Sequence, residues 1–77
     1  MSNWKTFEST VSPESWKRIN AYAEDAEEHC ELSDYPSISS WYEMVSVLSM
    51  HENGLAIDSK YNDLIKDYKL YWAALGK

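Results

Sequence analysis

A chain of 77 residues, with 44% hydrophobic residues, 26% charged residues and a net charge of −6, forms one small domain over residues 1–77 and buries only about 60% of the surface its unfolded form exposes. Phosphate contacts need Lys and Arg, so this balance disfavours direct binding to DNA, to RNA or to an anionic membrane, and it favours a basic protein partner. The single cysteine, Cys30, excludes an intrachain disulfide and suits a reducing, cytoplasmic setting.

Four Trp, six Tyr and one Phe supply large rings, and a short chain needs that area to build a core. The start, "MSNWKTFEST", lacks the apolar stretch of a signal peptide. No run approaches the roughly 20 apolar residues of a membrane span. The first stretch, "NWKTFESTV", sets Trp4, Phe7 and Val11 at spacings of three and four and reads as a short N-terminal helix.

Ser12 followed by Pro13 is a good helix start, because Ser caps free backbone N–H groups and Pro fits the first helical position. Trp16, Ile19, Ala23, Ala26 and Cys30 then recur at helical spacing and form one slim apolar stripe. Pro36 breaks the pattern at Tyr35. Ser40 to Glu43, "SWYE", is a capping box opening the next helix, which stops at Gly54. Its face is Ile38, Trp41, Met44, Val45 and Leu48, while Tyr42, Val47 and Met50 point elsewhere, as expected of a central helix. The last helix starts at Asp58 or Ser59 and carries Tyr61, Leu64, Ile65, Tyr68, Tyr71, Trp72 and Leu75 within about 120° of a wheel. Leu70 lies opposite them. No segment alternates as a strand does. The expected fold is all-α, a small bundle of three main helices with a short N-terminal helix.

The chemistry-bearing feature is the block "AEDAEEHCELSD", which holds six carboxylates and no Lys or Arg. Residues 1–54 carry three Lys or Arg against ten Asp or Glu, so the acidity belongs to the first two-thirds of the chain. Glu24, Glu28 and Glu31 fall within about 60° of a helical wheel, with Glu27 on their flank and Asp34 beyond. Like charges at i,i+4 repel by a few tenths of a kcal/mol, so a helix tuned for stability alone would interleave Lys. Two readings follow: an anionic strip for a basic groove, or a solvated face that aids solubility. The spare rings and apolar groups, Tyr35, Tyr42 and Leu70, join the candidate partner-binding set, because Tyr and apolar anchors are common in interface cores.

Other chemistries lack their signatures. His29 and Cys30 diverge by about 100° on a helix and cannot share a metal easily, and His51 lacks the ligand spacing of a zinc site. Gly54 and Gly76 are the only glycines, so no loop cradles a phosphate. There is no G-x-S-x-G elbow or H-E-x-x-H pair, so no catalytic residue, metal or cofactor is assigned and no enzyme is expected. Two helices around Gly54 have the outline of a helix–turn–helix DNA-binding regulator, but Lys60, Lys66 and Lys69 are countered by Asp58, Asp63 and Asp67 and no Arg is present there to read base edges. The leading expectation is a non-enzymatic inhibitor or adaptor that docks its acidic helix face on a basic protein or nucleic-acid-binding complex. Virus- and plasmid-encoded inhibitors of host restriction and CRISPR complexes are of this general type, an analogy that no motif carries. The alternatives are a homo-oligomeric assembly protein and the DNA-binding regulator.

Overall fold

The structure, a computed structural model, describes residues 3–29 and 38–75. Among them there is no strand, and the protein is a small all-α bundle. A 3-10 segment, Asn3–Thr10, precedes three helices: α1, Pro13–His29; α2, Trp41–Glu52; and α3, Asn62–Leu75. A further 3-10 turn, Ser59–Tyr61, leads into α3.

Local chemistry sets the ends of these elements. Ser12 Oγ accepts from the Ser15 N–H at 3.2 Å, so α1 begins where the Ser-Pro pair predicts. Ser40 is extended and its Oγ accepts from the Glu43 N–H at 3.1 Å. The Glu43 carboxylate reaches back one residue further than a capping box requires, to the Ser39 N–H at 2.7 Å and the Ser39 hydroxyl at 2.8 Å. At the other end, Gly54 adopts φ 75°. The Gly54 N–H reaches the His51 carbonyl and the Leu55 N–H reaches the Met50 carbonyl, both at 3.0 Å, which closes α2 with a left-handed stop that Gly adopts without strain. Ser40→Ala should cost about 1 kcal/mol, read as a lower urea midpoint with an unchanged slope.

The N-terminal segment is 3-10 rather than α-helical. Its i,i+3 side chains eclipse, so Trp4 and Phe7 lie on one side, against α2. Trp4 is only 1% exposed, its ring 6.1 Å from that of Trp16, while Phe7 packs on Tyr42 at 4.8 Å. Asn53 ties the segment's end down by donating to the Thr10 carbonyl at 3.1 Å.

Helix α2 is the centre, packed by the N-terminal segment, α1 and α3 together. This corrects the reading of Val47: it is buried with Met44, Val45 and Leu48, because neighbours cover more than one side of the helix. Tyr42 and Met50 are exposed as expected. On α1 the buried set is Ser15, Ile19, Tyr22, Ala23 and Ala26, with Trp16 half-buried. Tyr22, outside the expected stripe, is drawn in by α3, where it meets Tyr68 and Tyr71 edge-on, each at 5.2 Å. The stripe's last member, Cys30, lies outside the described residues.

Helix α3 starts at Asn62, because Asp58 caps the 3-10 turn instead, accepting from the Lys60 N–H at 3.0 Å. Residues 53–61 therefore separate α2 from α3, which corrects the short turn of the helix–turn–helix outline, where three or four residues suffice. Leu64 and Tyr68 are buried, and Tyr61, Ile65, Tyr71 and Trp72 are half-buried. Leu75, expected on the same stripe, is exposed, since it sits in the last turn of the helix. Leu70 is exposed as expected. No helix among the described residues is long and apolar enough to cross a membrane.

Candidate functional site

Two polar features are built on α1, one on each side of the helix. The outer side carries the acidic strip. Glu24, Asp25, Glu27 and Glu28 are all exposed. Asn20, one turn earlier, donates to Glu24 at 3.3 Å. His29 Nδ1 lies 3.1 Å from the Asp25 carbonyl and 3.4 Å from its carboxylate. Among the described residues, no Lys or Arg pairs with any of these four carboxylates. Glu31, Asp34 and Tyr35 lie outside the described residues.

Lys17, two turns before Glu24, is the cation that shares the strip's outer side and is exposed, whereas the arginine of α1 lies on the inner side. Arg18, the chain's only arginine, turns towards α2 and grips Glu52 with two parallel bonds: Nη2 to Oε1 at 2.7 Å and Nε to Oε2 at 3.1 Å. Ser15 donates to Oε1 at 2.9 Å and the Tyr68 hydroxyl donates to Oε2 at 2.6 Å. The carboxylate thus joins all three helices. The fork geometry is the strong form of a charged hydrogen bond, and the Glu52 side chain is only 10% exposed, so screening is limited. The Arg18 bond, the largest influence, pulls the Glu52 carboxyl down to about 2, helped by Tyr68 and Ser15 and opposed by burial. The same carboxylate holds Arg18 charged. Burial first, then the bond to Glu52, pushes the Tyr68 hydroxyl well above the ordinary tyrosine range.

A similar but more open arrangement fixes the start of α2. The Ser39 N–H, the Tyr61 hydroxyl at 2.6 Å and the Ser39 hydroxyl hold the Glu43 carboxyl down to about 2. Tyr61 is raised in return, mainly by that bond. Its ring also sits beneath the Lys60 ammonium, 5.0 Å from the centroid.

The predicted partner-binding residues are therefore spread over the molecule. Glu24, Glu27 and Glu28 share the α1 strip. Tyr42 is on α2 against Phe7, and Leu70 is on α3 beside Lys66 and Lys69. The ring that adjoins the acidic helix is one assigned from sequence to the core stripe, Tyr71. It stacks edge-on against Tyr22, and its hydroxyl is raised by burial and, secondarily, by the charge of Asp25. Its neighbour Trp72 lies at 5.1 Å.

Among the described residues no three His, Cys, Asp or Glu side chains are grouped to hold a metal ion. No protein-family model matches the chain, and neither does any curated protein or solved structure.

Proposed function

We propose that the protein is a non-enzymatic inhibitor or adaptor that lays the outer face of α1 on a basic surface of another protein. The observation that carries this reading is that Glu24, Asp25, Glu27 and Glu28 are all exposed on two successive turns of α1 and that, among the described residues, none of them pairs with a Lys or Arg. Unpaired charges of one sign raise the rate of encounter with an oppositely charged groove. Tyr71 and Trp72, both half-buried near the end of α3, supply amphipathic contact area that slows release. A groove that accepts such a strip is rich in Lys and Arg, as in nucleic-acid-handling complexes, where the carboxylates would take the place of phosphates. Inhibition of a restriction or CRISPR complex is one form this takes.

Glu24→Lys, Glu27→Lys and Glu28→Lys together should abolish binding to the partner that the wild-type chain captures from its native cells. Because all three side chains are exposed, the helical circular dichroism should not change. Binding of the triple variant at wild-type strength would remove the strip from the mechanism.

A homo-oligomeric role is the second reading, favoured by exposed Tyr42, Met50, Leu55 and Leu70 at 48%, 38%, 55% and 57%. Multi-angle light scattering separates the two: a stable dimer or larger form at micromolar concentration supports assembly, and a clean monomer supports the heterologous binder.

A further inference from the structure

The exposed side of α3 is neutral as a whole, with Lys66 and Lys69 against Asp63 and Asp67, but its two lysines lie together on one strip. Asn62, Ile65, Lys66, Lys69 and Leu70 line a hollow of about 400 Å³. Both lysines and Leu70 are exposed, and Ile65 is half-buried at its edge. On the wheel, Lys66 and Lys69 stand about 60° apart with Asn62 between them. The helix's own carboxylates, Asp63 and Asp67, fall to one flank and do not line the hollow. Neither Lys66 nor Lys69 has an ion pair or a ring beneath it among the described residues, whereas Lys60 is held over Tyr61. A chain of net charge −6 thus presents two unpaired ammonium groups between the apolar flanks Ile65 and Leu70, with no carboxylate in the lining.

We propose that this hollow docks an acidic amphipathic helix of another protein. A Leu- or Phe-sized side chain would seat in the hole framed by Asn62, Ile65, Lys66 and Lys69, at positions i, i+3, i+4 and i+7 of one helix face, with Leu70 at its rim, and carboxylates one turn apart on the incoming helix would meet Lys66 and Lys69. The two lysines are themselves one turn apart, so the spacing matches, and an apolar anchor flanked by charge is how a helix is read in a groove. A second copy of this chain that offers its acidic helix α1 fits less well. The exposed residues of α1 from Lys17 to Glu28 are Lys17, Glu24, Asp25, Glu27 and Glu28, which include no large apolar group to fill the floor, and two copies meet with like net charge. Nucleic acid and anionic lipid also fit less well, because affinity for either grows with the number of cations and the rest of the chain repels them.

The inference is independent of the α1 strip, and the test separates them. The probe is a fluorescein-labelled helical peptide with one Leu flanked by Glu one turn before and after it, titrated with the full chain and read by anisotropy. Saturable binding that weakens as salt rises is expected. Lys66→Glu with Lys69→Glu should weaken it by about tenfold or more, and Leu70→Ala by about fivefold. All three positions are exposed, so circular dichroism should stay at the wild-type signal. The triple Lys variant of the α1 strip should bind the peptide at least as tightly as wild type. Absence of saturable binding up to millimolar protein would overturn the proposal, as would equal binding by the Lys66→Glu/Lys69→Glu variant. Tighter binding of a labelled DNA duplex or of phosphatidylserine vesicles, lost in that same variant, would reassign the lysines and overturn it too.

Discussion

Replacing Trp4 with alanine should destabilise the domain by about 3–5 kcal/mol, enough to leave much of it unfolded at 37 °C. A domain of this length has roughly 4–12 kcal/mol in total, at 0.05–0.15 kcal/mol per residue. Trp4 is 1% exposed and is among the largest fully buried side chains. It belongs to a 3-10 segment held to the bundle in part by that ring, by the half-buried Phe7 packed against the core, and by the Asn53 bond to Thr10. Removing the ring leaves a void between α1 and α2 and also frees the segment, so the cavity cannot collapse cheaply. Urea denaturation followed by circular dichroism measures the effect. Trp4→Phe, which keeps a ring in the site, should lose less than half as much. A loss below about 1 kcal/mol for the alanine variant would show that the N-terminal segment is an appendage and not part of the core.

Glu52→Ala should cost about 2–4 kcal/mol at pH 7, because it strands the charge of Arg18 and the hydroxyls of Ser15 and Tyr68 at a largely buried point. The Arg18 side chain keeps 41% of its exposure, so water relieves part of the stranded charge, and the upper end of that range is a ceiling. Glu52 and Arg18 act as one unit. The double variant Arg18→Ala/Glu52→Ala should therefore lose clearly less than the sum of the two single variants. The pH dependence has a definite sign. The folded carboxyl of Glu52 lies at about 2, against 4.5 ordinarily, so the unfolded chain takes up its proton first as pH falls. The contribution is complete above about pH 5 and is lost progressively towards pH 2. Glu43, also held at about 2, acts in the same direction, so Glu52→Gln should make the acid limb shallower without abolishing it. At the alkaline end the raised Tyr68 hydroxyl works oppositely, and its contribution falls away as pH rises past the ordinary tyrosine range. Chemical denaturation of wild type and Glu52→Gln at several pH values from 2 to 8 reads out the acid limb. Equal acid limbs would contradict the assigned role of Glu52.

The parts of this structure that were legible in the sequence are those set by neighbours in the chain. Ser12 with Pro13, Ser40 with Glu43, and Gly54 each act through backbone groups within a few residues, so residue type and spacing suffice to locate them. The parts that were not legible depend on residues far apart. Ser15 and Glu52 are 37 positions apart, and Tyr68 is 16 from Glu52. Ser15 and Glu52 each read singly as an ordinary polar surface residue, and Tyr68 as one ring of the core stripe of α3. Nothing local distinguishes Arg18 from Lys17, yet one is drawn inward to a carboxylate and the other is exposed. Val47 was misplaced, and Tyr22 was not among the stripe residues, for a related reason. A helix packed on several sides buries more than one stripe, and which side gains a neighbour depends on the path of the loops. The exposure of Glu24, Glu27 and Glu28 followed directly from their lying opposite the alanines of α1. What such a strip is for depends on another molecule, and no property of the helix by itself decides it.

The account rests on the outer carboxylates of α1 being the groups a partner covers. Carbodiimide labelling of carboxylates, read residue by residue by mass spectrometry on the free chain and on its complex with the partner purified from native cells, tests this directly. Strong protection of Glu24, Glu27 and Glu28 in the complex, with Asp63 and Asp67 labelled equally in both states, is the predicted result. Equal labelling of the three glutamates in the free and bound states would contradict it.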